Sequence, residues 1–380
     1  NTPTKNKGLG AGKASDLKWV EACARDVAKF AKGHTIVVEK STLPVKTAEA
    51  IKIILSAAQK SSDTENKISF DVLSNPEFLA EGTAIKDLRK PDRVLIGGEN
   101  IDAIQALSRI YQNWVPKNKI LHTNIWSSEL AKLTANAFLA QRVSSINSIS
   151  ALCEVTGADI SEVANAVGTD SRIGNKFLNS GPGFGGSCFK KDILNLVYIA
   201  NHFGLKEVAN FWENVVKFNL YNQSRISLLI VKKLFGTITG KKISILGFSF
   251  KANTNDTRES PAIKICKDLL EEGANLSIHD PKVKVHQIEK DLGIKEIKNK
   301  QTKIDQEGTW CFDEKIFDSV KGSDAVVILT EWDIYKTLNW VKIAELMRHP
   351  AWVFDSRAIL SKRIIEKTNL NFWRIGDGTL

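Results

Sequence analysis

The sequence predicts an α/β protein in which two parallel sheets flank a helical centre, and three observations carry that prediction. Short apolar runs alternate with helical patterns over the first third of the chain. A single long helical pattern then extends from Ser127 to about Val167, and a second strand–helix alternation begins at "KKISILGFSF". Strands that alternate with helices pair in parallel, because each crossover helix returns the chain to the same end of the sheet.

Taken in order, "SDLKWVEACARDVAKFA" reads as a helix capped by Ser15, and "HTIVVEKST" as a buried strand ending in a polar loop. Further strands are "FDVLS", "RVLIGG" and "KILHT". The stretch "SSELAKLTANAFLAQRVSSINSISALCEV" is interrupted only near Gly157. Its length suits a spine between domains better than a sheet crossover. Helical sequence resumes after "GPGFGGSCFKKD" and runs to about Phe235. The second alternation adds "NLSIHD", "DAVVILT", "WVFDS" and "FWRIG", with Ser260 as cap and Pro261 in the first turn of a helix. "GLGAGK", Gly8 to Lys13, fails the phosphate-loop spacing because Lys7 stands where a glycine is needed, so it reads as a mobile surface loop.

A chain of 380 residues accommodates two or three domains, and 43% hydrophobic with 25% charged residues excludes global disorder. Five cysteines, an odd number without a CxxC pair, argue against a disulfide framework and against zinc, and no metal site is expected. No apolar run approaches the roughly 18 residues of a membrane span, and "NTPTKNKGLG" has no signal-peptide core, so a cytoplasmic protein is expected. The formal charge of +10 points to anionic partners. Basic residues come in short pairs among acids, such as Lys190-Lys191 and Lys241-Lys242. That pattern suits phosphorylated small molecules better than a nucleic-acid track or a membrane.

Four constellations could carry chemistry. Cys188 lies between glycines and the run Lys190-Lys191-Asp192, ahead of the helical face Ile193, Leu196, Val197 and Ala200. A cysteine in the first turn of that helix would be favoured as thiolate, which suits a nucleophile; a buried structural thiol is the plainer alternative. Glu77 and Glu81 of "SNPEFLAEGTAIKD" would share one face if helical, or form a solvated helix start. Lys132 and Asn136, four apart among apolar neighbours, could hold an alkoxide or sugar oxygen, or form an exposed polar stripe. Lys251 and Arg258 lie in a loop at the carboxyl end of a strand, where open α/β sheets bind ligands, and a phosphate is expected there.

The segments "NPEFLAEGTAIKDLRKPDRVLIGG", "WSSELAKLTANAFLAQR", "RIGNKFLNSGPGFGGSCFKKD" and "GFSFKANTNDTRES" resemble those of the UDP-glucose 6-dehydrogenases of the animal type, over almost the whole chain. The resemblance implies two Rossmann-like doubly wound sheets joined by a long central helix. Residues 1–125 would be the second half of an NAD-binding domain, 126–236 a central helical domain with the cysteine loop, and 237–380 a UDP-sugar-binding domain. It implies NAD as cofactor, UDP-glucose as substrate, and a four-electron oxidation to UDP-glucuronate through a thiohemiacetal and a thioester on Cys188.

By the same resemblance Glu77 assists thioester hydrolysis, Lys132 stabilises the oxyanion and Asn136 holds the sugar. Asp192 acts with Thr42 through water as proton acceptor in the first oxidation. Phe78, Leu79, Ala80 and Glu81 would line sugar and nicotinamide, and Phe177, Phe184, Gly185, Phe250, Lys251 and Arg357 would contact the UDP-sugar. Asn1, Thr2, Pro3, Thr4, Ser41, Thr42, Glu81, Lys191 and Arg258 would contact NAD. Arg172 would reach a neighbouring subunit's substrate, implying a homo-oligomer, dimer-based and hexameric in the family. Asn179 replaces a lysine of the animal motif, and Arg357-Ala358 replaces two arginines. Family members open with a strand, a GxGxxG turn and an acidic residue, whereas this sequence opens at "NTPT". The first sheet is therefore expected to be incomplete, and the chain alone to bind NAD weakly. The alternatives are a non-catalytic UDP-sugar-binding subunit, a dehydrogenase for another nucleotide sugar, or a cysteine acyl-transfer enzyme without nicotinamide.

Overall fold

The computed structural model describes residues 2–61, 68–297 and 307–379, so Asn1 lies outside it. Contacts divide the chain into two compact units, residues 1–138 with 191–213, and residues 139–190 with 214–380.

In the first unit, helix α1 (Lys18–Phe30) precedes strand β1 (His34–Glu39), and α2 (Thr47–Ser61) precedes β2 (Ser69–Ser74). Helix α3 (Ala84–Arg89), β3 (Val94–Gly97), α4 (Ile101–Tyr111) and β4 (Ile120–Thr123) follow. The sheet order is β1-β2-β3-β4. β1 pairs with β2 and β3 with β4 in parallel, from His34↔Ser69 and Val94↔Ile120. Parallel pairing throughout was expected, but β2 and β3 meet antiparallel, at the single pair Ser74↔Gly97. These are the last residues of both strands, so the strands touch at their tips. One apolar cluster, Leu73, Val94, Ile96, Ile104 and Ile120 among others, packs under α4, and another, with Leu55, Val72 and Ala24, packs under α1 and α2.

One local expectation fails here. Ser15 does not cap α1: the helix begins at Lys18, whose N–H is taken by Asp16 Oδ1 at 3.1 Å, while Ser15 bridges Thr4. The Gly8–Lys13 segment is a surface loop, as expected, and hydrogen bonds close it on itself. Lys5 N donates to Ala14 O at 2.8 Å, and a Cβ on Gly10 would come within 2.9 Å of the Tyr198 ring.

Helices α5 (Ile125–Thr156) and α8 (Lys206–Lys233) pass from the first unit into the second, and α7 (Phe189–His202) passes from the second into the first. α5 ends where Gly157 adopts φ +81, and α6 (Ile160–Thr169) starts at its cap Asp159.

The second unit holds β5 (Lys242–Leu246), α9 (Pro261–Glu271), β6 (Asn275–His279), β7 (Thr309–Phe312), β8 (Ala325–Ile328), β9 (Trp352–Asp355) and β10 (Asn371–Arg374). All six strands are parallel, in the order β10-β9-β8-β5-β6-β7. Ser260 does cap α9, accepting from Ala262 N. β7 was not legible in sequence, being a four-residue edge strand with only Trp310 fully buried. Ile243, Ile245, Leu276 and Val327 fill one face of the sheet, and Leu246, Val326, Ile328 and Val353 the other. Strand order reverses between β5 and β8, which makes their carboxyl ends the crevice where such sheets bind ligands.

Candidate active site

In the first unit the candidate residues lie in the loops after β1 and β2, within α5 and in the first turn of α7. Asn75 follows β2 and is buried; its Nδ2 donates to Leu95 O at 2.7 Å, and its Oδ1 accepts from Tyr111 OH at 2.6 Å. That anchor sets the start of the loop carrying Glu77 and Phe78. The Phe78 ring receives two cations, Arg93 Cζ at 3.7 Å and Lys132 Nζ at 5.2 Å from its centre.

Lys132 and Asn136 are 8% and 6% exposed, which excludes a solvated stripe. Asn136 Nδ2 donates to Asp192 Oδ2 at 2.5 Å, and Lys191 Nζ lies 3.5 Å from Asp192 Oδ1. Burial raises the Asp192 carboxyl above its ordinary value, against the opposing pull of Lys191, Asn136 and Lys132. A carboxylate biased towards protonation yet ringed by cations is suited to accept a proton.

Glu77 and Glu81 do not share a helical face. Residues 75–80 are irregular, Gly82 takes φ +86, and α3 starts only at Ala84, where Asp87 turns back to accept from Ala80 N and Thr83 Oγ1. Glu77, Ala80 and Glu81 are exposed, while Phe78 and Leu79 are half-buried. Thr42 is half-buried and Ser41 exposed in the loop after β1. Thr2 is buried and its carbonyl accepts from Lys191 Nζ at 3.3 Å; exposed Pro3 accepts from Asp16 N.

In the second unit the Cys188 loop rests on the β5–α9 loop. Gly186 N donates to Arg258 O at 2.8 Å, and Lys190 Nζ pairs with Glu259 at 2.9 Å. A Cβ on Gly185 would lie 2.6 Å from Glu259 O and 2.8 Å from Phe250 Cβ, so only glycine permits this approach. Phe184 is buried edge-on to Phe189. Cys188 is exposed and stands one residue ahead of α7 rather than within its first turn, because the helix begins at Phe189; its Sγ is 3.6 Å from Ser187 Oγ.

Around the crevice, Arg357 Nε donates to Leu329 O at 2.8 Å and Nη2 to Phe250 O at 3.0 Å, and Nη1 lies 3.2 Å from Glu331. Lys251 Nζ lies 5.5 Å from the Phe250 ring centre, and Arg258 forks onto Asp256, with Nη2 at 2.6 Å. Asp280 at the end of β6 accepts from Phe248 N, Ser249 N and Trp332 Nε1, so one buried carboxylate knits three loops. Arg172 and Phe177 lie on an exposed segment after α6, Arg172 paired with Asp170 and Phe177 at φ +61. Sequence reasoning missed Asn75, Asp280 and Glu331, whose only signal is a polar residue directly after an apolar strand.

Two parallel-dominated α/β sheets, with a thiol-bearing glycine loop laid on a strand-end crevice, define an α/β enzyme with a nucleotide-type site. Models of the UDP-glucose/GDP-mannose dehydrogenase family match its NAD binding domain at residues 1–115, its central domain at 126–221 and its UDP binding domain at 244–362. The UDP-glucose 6-dehydrogenase of Caenorhabditis elegans is 52% identical over 99% of this chain and 77% of its own length. That of Bos taurus is 54% identical over 95% and 72%. UDP-glucose 6-dehydrogenase 4 of Oryza sativa is 52% identical over 99% and 79%, so animal and plant relatives are matched alike. Among solved structures, a UDP-glucose dehydrogenase from Pyrobaculum islandicum superposes with a TM-score of 0.80 at 30% identity, covering 96% of this chain and 76% of that one. The chain belongs to the UDP-glucose/GDP-mannose dehydrogenase family and is an NAD-dependent oxidoreductase. Among the described residues no helix is long and apolar enough to cross a membrane.

Proposed function

We propose that this chain oxidises the C6 alcohol of UDP-glucose to the carboxylate of UDP-glucuronate, using two NAD in turn. The observation that carries the reading is the seating of the Cys188 loop on the β5–α9 loop, through Gly185, Gly186, Phe250 and Arg258. A thiol and a nucleotide-type crevice share one framework there. The cofactor suits the residues present: the hydroxyls of Thr2, Thr4, Ser41 and Thr42 and the ammonium of Lys191 form a donor set fit for ribose and phosphate oxygens. These residues would hold NAD with Pro3, Glu81, Arg258 and Asn1, the last outside the described residues. NAD, when bound, accepts one hydride in each oxidation.

Asp192, with Thr42 and a water, takes the C6 hydroxyl proton as the first hydride leaves, giving the aldehyde. The Cys188 thiolate pair then bonds to the aldehyde carbon while the carbonyl oxygen, held by Lys132, takes a proton: a thiohemiacetal. Loss of the second hydride and of the hydroxyl proton leaves the thioester. Water adds under Glu77, the C–S bond breaks, the thiolate leaves with its electron pair, and the carboxylate is released together with two protons. Asn136, Phe78, Leu79 and Ala80 position the sugar, and Phe177, Phe184, Gly185, Phe250, Lys251 and Arg357 the UDP-sugar. Exposed Arg172 is suited to reach the substrate of a second copy, so the working form is a homo-oligomer, placed in the cytoplasm.

The test is to supply UDP-glucose and NAD and follow nicotinamide reduction together with product. Two NADH per UDP-glucuronate is expected. A folded sample that reduces no NAD, or that oxidises GDP-mannose in preference, would overturn the reading.

A further inference from the structure

The segment ahead of Cys188 has no regular secondary structure, yet Gly181, Pro182, Gly183, Phe184 and Gly186 are all buried. Buried main-chain groups outside helices and strands need partners, and side-chain amides supply them here. Asn219 of α8 grips Phe184 at both ends: its Oδ1 accepts from Phe184 N at 2.9 Å, and its Nδ2 donates to Phe184 O at 3.0 Å. Asn222, three residues on and so on the same face of α8, donates from Nδ2 to Gly181 O at 2.9 Å. Asn147 of α5 accepts from Gly181 N at 2.8 Å. The three amides are 6%, 0% and 1% exposed. Gly183 sits at φ +139, and a Cβ there would lie 2.5 Å from Asn219 Oδ1, so the glycine is what admits the amide.

We infer that Asn219, seconded by Asn222 and Asn147, is the positioning residue for the Cys188 thiol. It touches no reacting atom in the steps above. It pairs with the main chain of Phe184 as a neighbouring strand would, and thereby sets the path of the four residues leading to Cys188. Helices α5 and α8 supply this grip from one side, and Arg258 O, which accepts from Gly186 N, holds the loop from another. The inference rests on the two-step oxidation proposed above, and that reaction lets it be isolated. The first oxidation forms no bond to sulfur. The second needs the thiolate pair placed on the aldehyde carbon, and misplacement by about 1 Å can cost on the order of a hundredfold.

The test is Asn219→Asp, which keeps an acceptor for Phe184 N but loses the donor and sets a carboxylate against Phe184 O. With full-chain protein in excess over UDP-glucose, the wild type should form two NADH per sugar. The variant should show the second step slowed relative to the first by at least about tenfold, with an aldehyde that hydroxylamine traps. Equal slowing of both steps, as general loosening would give, overturns the inference, and so does an unchanged ratio. Asn222→Ser, which removes the bond to Gly181 O and the longer one from Arg225 Nη2 at 3.3 Å, gives the same readout should Asn219→Asp fail to fold. Alkylation of Cys188 by iodoacetamide is read alongside: a rate altered by about fivefold or more supports the positioning role, and an unaltered rate opposes it. If the wild type forms no NADH, the functional reading falls and the alkylation result still decides this one.

Discussion

Asn136 Nδ2 donates to Asp192 Oδ2 at 2.5 Å, with both residues buried. The bond stabilises the ionised carboxylate against a burial that favours the neutral acid. Removing it in Asn136→Ala raises the Asp192 pKa further. A proton acceptor works only when ionised, so the acid limb of kcat/KM for the first oxidation should move to higher pH. At the optimum the loss should be about ten- to hundredfold, the value of a hydrogen bond to a charged group. A pH profile that stays in place or moves to lower pH would refute the role of Asp192.

Cys188→Ser should leave UDP-glucose affinity within about twofold while turnover falls at least about a thousandfold, because a hydroxyl is a far poorer nucleophile than a thiolate. Calorimetry with UDP-glucose and an assay for glucuronate check the two halves. Glucuronate formed at the wild-type rate would remove the thioester from the mechanism.

Gly185→Ala and Gly181→Ala should differ, although both lie in the same buried loop. The new Cβ at 185 meets Glu259 O at 2.6 Å, whereas at 181 the nearest atom is Arg357 Nη1 at 3.5 Å, an ordinary contact. The first should cost about 1–3 kcal/mol, as overpacking does, and the second under about 0.5 kcal/mol. Urea unfolding measures both, and equal losses would contradict the close packing of Gly185 on the β5–α9 loop.

Arg357→Met should destabilise the second unit by about 2–4 kcal/mol, because two carbonyls lose a charged donor and Glu331 loses its partner. Glu331→Gln, which keeps the carbonyl bonds, should cost less. The urea midpoints of the two variants decide; because Arg357→Met removes the ion pair as well, the reverse ranking would show that the carbonyl bonds add no stability.

Glu39 closes β1 with its carboxyl pushed up to about 8, first by burial and then by the charge of Glu129. Its ordinary value is 4.5, so the folded state holds the proton more tightly than the unfolded chain. That contribution to stability is complete below 4.5 and is lost as pH rises through about 8, at no more than about 1.4 kcal/mol per pH unit. Glu39→Gln should abolish this slope, so the variant gains on the wild type in Tm between about pH 5.5 and about pH 7.5. Parallel Tm curves would show that Glu39 is not protonated in the fold.

The sequence by itself determined the alternation of elements, the long α5 ended by Gly157, the cap Ser260 and the family, because periodicity, capping and motif spacing are local properties of the chain. It also marked Cys188, Lys132, Asn136 and Asp192 as chemical candidates. Only the tertiary structure decided what those groups do with one another. Asn136 gives its amide to Asp192 from a different helix, Glu77 and Glu81 are parted by an irregular turn ending in Gly82, and β2 meets β3 tip to tip. The amides that grip the Gly181–Phe184 loop come from α5 and α8, far away in sequence. A hydrogen bond has a range of about 3 Å in space and no signature along the chain. Which buried amide meets which main-chain group is therefore settled only when the helices pack.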